Sequence, residues 1–486
     1  MTQSFNIGFN FRAVAANQPD APAIIAEDIT VSYEKLWKIT ESFALRMREN
    51  GIGQASIVAV HTSDIIVSLA SLLASSLLGA QYIAVSKELT QGGVVNPSHY
   101  LRSSDTTGPD DSDYILIDQT WAPAFAKVDE NAPYPGYTAP DTPWLLLHSS
   151  GTTGRAKYMT LSQRLVFDRS QAVRDDFNGQ STRVSLLFTC QTRPFYARAL
   201  AALLHGSTIV DSLSPAFWAQ EKVTVVCGSP FQVNRVLSGT KEHDKIAFVE
   251  VSGSKLTLDV ARVLSRAFTD VIEVYGAGET NKSFANKIEV NALGQMQALG
   301  LPLDSTVEIV DEQGMLCKNG ISGSIRVKNG YTVPGYMNAP EAAKKSFNDG
   351  WFYPGDYGHW GPNGALVIEG RHDELINISG VKFNPSVVDD RLLKCEGVKA
   401  AACFLSPLSD LENKLMAFVE LTDFDSPDRY VNQAHAACAK AFGTVVAPQH
   451  IVVVPEIPKT EDGAPKRQSC REMAIEIIKQ SAGPGR

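Results

Sequence analysis

Ser149-Ser150-Gly151-Thr152-Thr153-Gly154-Arg155-Ala156-Lys157 follows the apolar run Trp144-Leu145-Leu146-Leu147. The apolar run reads as the end of a buried strand, so the polar stretch is the loop that leaves it. Glycines let backbone approach a ligand closely and adopt positive φ. Hydroxyls and exposed backbone N–H groups donate to anionic oxygens. Lys157 adds a compact positive charge. Together these suit a polyphosphate, although the same composition also suits a flexible, solvated loop. The stretch is not the G-x-x-x-x-G-K-[ST] signature, because the Gly151–Lys157 spacing differs and Tyr158 stands where a hydroxyl residue belongs.

Outward from this loop the chain alternates strand and helix. Val223-Thr224-Val225-Val226-Cys227 is β-rich, and Ser229-Pro230 supplies a helix cap with a first-turn proline. Phe248-Val249-Glu250-Val251 leads into the turn Ser252-Gly253-Ser254, then a periodic helix carrying Leu258, Ala261 and Leu264. Val271-Ile272-Glu273-Val274 ends at Tyr275-Gly276. The order predicts a large α/β domain whose sheets hold parallel strands with helical crossovers. Ligands in such sheets lie beyond the carboxyl ends of strands. The Ser/Gly/Thr loop, Ser252-Gly253-Ser254 and residues 275–280 all fall at such ends.

Residues 65–85 are nearly uncharged and of membrane-spanning length, yet they include four serines, Gly79 and Gln81. They read as a core helix capped by Asp64 and stopped at Gly79, followed by a buried strand from Gln81 to Val85. Residues 101–113 read as an exposed loop. A length of 486 residues implies at least two domains, and 44% hydrophobic with 20% charged residues describes a soluble globular protein. A net charge of −9 argues against nucleic acid and against anionic membranes as partners. Seven dispersed cysteines without a C-x-x-C pair read as reduced thiols in a cytoplasmic protein, and no signal peptide is expected at the N-terminus.

Further motifs follow in order: Tyr275-Gly276-Ala277-Gly278-Glu279-Thr280, Gly335-Tyr336, Gly350-Trp351-Phe352-Tyr353-Pro354-Gly355-Asp356, Gly370-Arg371-His372-Asp373-Glu374, and Gly380-Val381-Lys382-Phe383-Asn384-Pro385. In this order and at these intervals the chain resembles the adenylate-forming superfamily, which includes acyl- and aryl-CoA synthetases, adenylation domains of nonribosomal peptide synthetases, and firefly luciferase. The resemblance runs from about residue 20 to about residue 470. It implies a large N-terminal domain, residues 1–371, and a small mobile α+β C-terminal domain, residues 372–486, hinged at Asp373.

The resemblance also implies the chemistry: a carboxylate attacks the α-phosphate of ATP to form acyl-AMP, and the acyl group passes to a thiol. Ser150, Gly151, Thr152, Thr153, Gly154 and Lys157 would hold the β- and γ-phosphates, and Glu279 would bind Mg²⁺. Asp356 would accept the ribose hydroxyls, with Arg371 as a further donor. Tyr275 would stack on adenine, and Ser252, Gly253, Ser254, Gly276, Gly278 and Thr280 would line the nucleotide. Residues 188–196 and Phe231 would line part of the acid pocket, although single aromatics of this kind are more often core. Lys382 and Gly380 would enter the site for thioester formation, with Asn384-Pro385 beginning a helix.

The pattern breaks near the C-terminus. Relatives carry a Gly-Lys pair whose lysine reaches the substrate carboxylate and the α-phosphate. Here Gly463 matches the glycine and Ala464 the lysine, leaving Lys466 two residues later behind Pro465. Gly278 replaces a threonine that donates to the α-phosphate in many relatives, Tyr158 replaces a glycine, and Val387 replaces a common glutamate. The reading is therefore an acid–thiol ligase with Lys466 as its catalytic lysine. Its thiol is expected to come from outside the chain, on coenzyme A or on the phosphopantetheine of a stand-alone carrier protein. The alternatives are an adenylate-binding protein with impaired catalysis and an enzyme keeping only the thioester half-reaction. Nothing in the sequence supports a luciferase-like oxygenase.

Overall fold

The structure is a computed structural model describing residues 5–84, 95–103, 106, 114–121, 140–149, 157–238, 244–378, 381–407, 414–422, 427–460 and 463–481; for residues 148, 149, 373, 377, 381–383 and 481 the backbone alone is described. Residues 150–156, Gly380 and Val85 lie outside this set. The chain divides into two compact units. The first holds Met1–Ser252, Leu256–Thr306 and Val327–Phe352; the second holds Gly253–Lys255, Val307–Arg326 and Tyr353–Arg486. Asp373 belongs to the second.

Two sheets build the first unit. Along the nine-stranded sheet the order is Met296–Pro302, Asn281–Val290, Phe268–Ala277, Ile246–Ser252, Val225–Gly228, Arg183–Leu186, Thr208–Asp211, Pro22–Ala26 and Thr30–Ser32. Its middle is parallel, and both ends are antiparallel. Parallel pairing needs crossovers, which the periodic helices Pro230–Leu237 and Leu258–Ala267 supply. Ser229 caps the first of these in a capping box with Gln232, with Pro230 in its first turn. The six-stranded sheet runs Tyr114–Ile117, His99–Ser103, Ile57–His61, Gln81–Ala84, Pro143–Ser149 and Lys157–Ser162. Only its last pair is antiparallel, and it sets Ser149 opposite Lys157. The two ends of the Ser/Gly/Thr loop are thus tied together across a ladder.

One core joins both sheets to the helices Ile7–Asn17, Tyr33–Glu49, Ile65–Leu78 and Arg193–Leu204. Asp64 caps the third of these by accepting from Ile66 and Val67 N–H, and Gly79 ends it at φ 68°. Its serines show why so apolar a helix belongs in a protein interior. Ser68 bonds the Cys190 carbonyl and the Tyr196 hydroxyl, Ser75 accepts from the Trp144 indole, and Ser76 bonds Gln163. No helix among the described residues is long and apolar enough to cross a membrane. One expectation is corrected here: residues 101–103 belong to strand His99–Ser103, with Leu101 fully buried. The pairing of Leu101 with Val60 and Ile115 outweighs the polar composition that follows.

The second unit holds the hairpin Asp356–Trp360 and Leu366–Arg371, the ribbon Ile376–Ile378 and Val381–Phe383, and a sheet of Val398–Leu405, Leu415–Leu421 and His450–Val453. Alternation along Val398–Leu405 sends Ala401 and Cys403 to one core and Ala402 and Phe404 to another. Helices Ser386–Leu392 and Pro427–Val446 close the first face, and Arg467–Ser481 the second. Helix Ser386–Leu392 starts one residue later than expected, with Pro385 as its cap position. The side chain of Asn384 still accepts the Ser386 N–H at 2.9 Å, so the capping group is the expected one. All seven cysteines are free.

Candidate active site

Glu279 lies in the short turn between strands Phe268–Ala277 and Asn281–Val290, and only 6% of it is exposed. The turn is tight: Asn281 sits at φ 64°. Its carbonyls are held one by one. Arg169 donates to Gly278 O at 3.0 Å and to Glu279 O at 2.8 Å; Val333 N–H reaches Glu279 O, and Asn329 reaches Thr280 O. Arg169 also donates twice to the Tyr331 carbonyl. Burial lowers the pKa of this guanidinium to about 9; nearby Arg193 adds to the fall and Glu279 opposes it. With its backbone caged, the turn fixes the direction of the Glu279 carboxylate.

Tyr336 lies between that carboxylate and Lys157. Its hydroxyl donates to Glu279 Oε1 at 2.7 Å, and the Lys157 ammonium sits 5.2 Å from its ring centroid. Backbone bonds bring the segments together: Met337 N–H donates to Tyr158 O, and Tyr158 N–H donates to Asn338 Oδ1. Tyr158 itself points the other way. Being next to Lys157 in a strand, it enters a small core with Ala59, Ile83 and Leu146. The tyrosine in place of glycine is therefore a packing residue.

Behind the site runs a buried charge network. Glu250, in strand Ile246–Ser252, pairs with Arg198 and Lys282, and Lys282 also bonds Asp176 at 2.7 Å. Burial raises the Glu250 pKa, but the two cations overcome it and hold it at about 2. Arg198 donates on to Ser252 Oγ at 3.1 Å, and Lys282 stands opposite Gly276. The network ties the strand end at Ser252 to the turn that carries Glu279. Tyr275 is half-buried near the end of the neighbouring strand Phe268–Ala277, and Thr280 bonds the Ser283 hydroxyl at 2.9 Å.

In the second unit, Asp356 and Arg371 face each other across the hairpin, with the guanidinium 3.0 Å from the carboxylate. Gly355, at φ 84°, accepts the His372 N–H at 2.6 Å. Lys382 pairs by backbone with Asn377. Asp373 lies in the single turn His372–Glu374, and Gly253 is at φ 93°. The C-terminal break is a hairpin-like turn: Thr460 N–H donates to Ala464 O, and Gly463 sits at φ 85°. Lys466 N–H donates to Pro458 O, and its carbonyl accepts the first bond of helix Arg467–Ser481. Its side chain is exposed. At the base of the turn, Lys459 donates to buried Glu420 at 2.5 Å.

Of the residues expected from sequence, the first unit gathers Lys157 and Glu279 around Tyr336, and the second gathers Asp356 and Arg371. Ser150, Gly151, Thr152, Thr153 and Gly154 lie outside the described residues. Sequence reasoning passed over Tyr336 as a site group although it quoted Gly335-Tyr336. It gave no sign of Arg169, which looks like any helix arginine until its partners are known. Among the described residues no group of three or more His, Cys, Asp and Glu side chains could hold a metal ion. A cation at Glu279 would need its other ligands from phosphate and water, which is how Mg²⁺ commonly binds. Glu279 fits, with one oxygen held by Tyr336.

A family model described as AMP-binding enzyme matches residues 11–337. The chain is 27% identical to sulfoacetate–CoA ligase of Cupriavidus necator over 346 residues, covering 68% of this chain and 66% of that protein. It is 24% identical to bacitracin synthase 1 of Bacillus licheniformis over 503 residues, covering 95% of this chain but 9% of that protein. Among solved structures, O-succinylbenzoate coenzyme A synthetase from Bacillus subtilis, in complex with AMP, superposes with a TM-score of 0.82 at 18% identity, covering 94% of this chain and 97% of that one.

Proposed function

The chain belongs to the AMP-binding enzyme family of adenylate-forming ligases, and from that premise we propose that it activates a carboxylic acid with ATP and passes the acyl group to a thiol. One observation carries this reading. Lys157 and Glu279, distant in sequence, meet on Tyr336 beside a turn whose backbone is fixed by Arg169.

In the first step a carboxylate oxygen attacks the α-phosphorus, the bond from phosphorus to the pyrophosphate oxygen breaks, and acyl-AMP and pyrophosphate form. In the second a thiolate attacks the acyl carbon, and AMP departs with the electron pair of the broken C–O bond. Both reactants of the first step are anions, so positive charge and fixed donors matter more than proton transfer. Lys157 and the loop residues Ser150, Gly151, Thr152, Thr153 and Gly154 would take the β- and γ-phosphates. Magnesium held at Glu279 would neutralise phosphate charge. Asp356, with Arg371 beside it, would accept the ribose hydroxyls. Tyr275 would stack on adenine, while Ser252, Gly253, Ser254, Gly276, Gly278 and Thr280 would line the nucleotide. Lys382 and Gly380 would serve the thioester step after a swing of the small domain about Asp373. Coenzyme A is the favoured acceptor, supported by the likeness to the CoA ligase of Cupriavidus. A carrier-bound phosphopantetheine is the other, supported by the likeness to a peptide synthase.

The turn at Thr460–Ala464 favours a second reading. With alanine at 464, the first step depends on Lys466 or loses its usual lysine; in the latter case the protein binds adenylate or performs the thioester step alone. Exchange of labelled pyrophosphate into ATP, tested across a panel of acids, decides between them. Acid-dependent exchange supports the ligase. Binding of ATP or AMP without exchange supports the second reading.

A further inference from the structure

Resting on the reading that the protein activates a carboxylic acid through Lys466, we propose that buried Glu420 and Asp389 are positioning residues for that step: they grip the two ends of one turn and so aim Lys466. The turn lies wholly within the second unit. Its arms pair antiparallel at a bridge between Lys459 and Pro465. Thr460 N–H donates to Ala464 O and Lys466 N–H to Pro458 O, both at 2.8 Å. In such a ladder the bridged residues 459 and 465 share one face, and residues 464 and 466 share the other. The face of Lys459 is the inner one, because its ammonium reaches buried Glu420. Lys466 therefore leaves the turn on the outer face, the same face as Ala464, which matches the family's lysine. The alternation of the arm, not sequence spacing alone, is what makes Lys466 a substitute.

Both chain neighbours of Lys466 are fixed to the sheet of this unit by a buried carboxylate. On the incoming arm, Glu420 Oε1 accepts the Lys459 ammonium at 2.5 Å and the Ile457 N–H at 3.0 Å, and the Glu420 side chain is 5% exposed. Lys459 carries this hold across the bridge to Pro465. On the outgoing arm, Arg467 bonds Asp389 Oδ2 at 2.7 Å and the Cys403 carbonyl at 2.7 Å, and the Asp389 side chain is 8% exposed. Cys403 N–H donates to the other oxygen of Asp389. Glu420 and Cys403 stand on paired strands, Leu415–Leu421 and Val398–Leu405. Anchorage alone does not call for these charges. Ile457, Cys470 and Ala474 already bury the flanking segments in an apolar core. A buried ion pair adds little net stability over apolar packing, whereas its charge-assisted hydrogen bonds fix direction.

The test removes each pair in the full chain, Lys459→Met with Glu420→Gln, and Arg467→Met with Asp389→Asn. The amide oxygens keep an acceptor for the Ile457 and Cys403 N–H groups. Should a paired variant melt early, the single changes Glu420→Gln and Asp389→Asn are read in its place. Pyrophosphate exchange is followed with the most active acid of a panel, and ATP affinity by calorimetry, in wild type and in the Lys466→Ala background. The kcat of exchange should fall roughly tenfold to a hundredfold, as for a misplaced catalytic group, with the KM and affinity for ATP within about twofold. In the Lys466→Ala background the same changes should cost nothing further, because they act through that lysine. Exchange that survives in the folded variants overturns the proposal, as does an equal loss in both backgrounds or full exchange in Lys466→Ala itself; each leaves the activation reading standing. A wild type that exchanges with no acid removes that reading and the proposal with it.

Discussion

Tyr336 takes two partners that would otherwise attract each other. Its hydroxyl engages Glu279 and its ring face meets Lys157, so the acid and the base are held on separate sides of one side chain. Tyr336→Phe keeps the ring and removes the hydrogen bond. A bond to a charged group contributes about 1.5–3 kcal/mol, so pyrophosphate exchange should fall roughly tenfold or more at limiting magnesium and recover as magnesium is raised. Titrating exchange and calorimetric ATP affinity against magnesium checks this; an unchanged magnesium requirement would show that the hydroxyl does not orient Glu279. Lys466 poses a different question. It occupies the cap position of helix Arg467–Ser481, where neither capping preference nor the helix dipole favours a lysine. A functional lysine there predicts that Lys466→Ala slows exchange by about 10²–10³ without lowering the melting temperature. Retained exchange in this variant would remove Lys466 from adenylation. The sequence could name Lys466 as a candidate but could not assign Tyr336, because a tyrosine after glycine is equally at home in a core.

At the scale of elements, the turn that carries Glu279 depends on Gly276. The register between the two strands shifts at Tyr275 and Gly276, and a Cβ at 276 would meet the Asn281 carbonyl oxygen at 2.2 Å. Gly276→Ala must push that backbone aside, at a cost of roughly 1–3 kcal/mol, and re-aim the Glu279 carboxylate farther along the same turn. Melting temperature and exchange should fall together. Gly330→Ala, where a Cβ meets nothing within 4 Å, should alter neither. Elements of this kind were legible wherever local chemistry set their limits. Asp64 with Gly79, and Ser229 with Pro230, mark helix ends because cap hydrogen bonds and fixed φ involve neighbours in sequence. The strand at residues 101–103 was hidden, because its pairing partners lie far along the chain.

For the whole molecule, the buried network around Glu250 predicts how stability responds to acid. The Glu250 carboxyl is held near 2 in the folded chain, against roughly 4.3 when unfolded. Below the unfolded value the unfolded chain binds a proton that the folded one refuses, so stability is full above about pH 4.5 and is lost as pH falls toward 2. Urea melts of wild type and Glu250→Gln should show a shallower acid slope in the variant across that window. Its overall stability should also be lower, because Arg198 and Lys282 remain buried with less opposing charge. Equal slopes would mean that other carboxylates govern acid unfolding. By itself the sequence determined the α/β plan, the family and the order of its motifs, because hydrophobic period, caps and glycine turns are written between near neighbours. Only the tertiary structure decided that Arg169 cages the Glu279 turn and that Tyr336 parts Lys157 from Glu279. Those contacts join segments far apart in the chain, and their strength comes from burial and mutual charge, which exist only once the segments have packed.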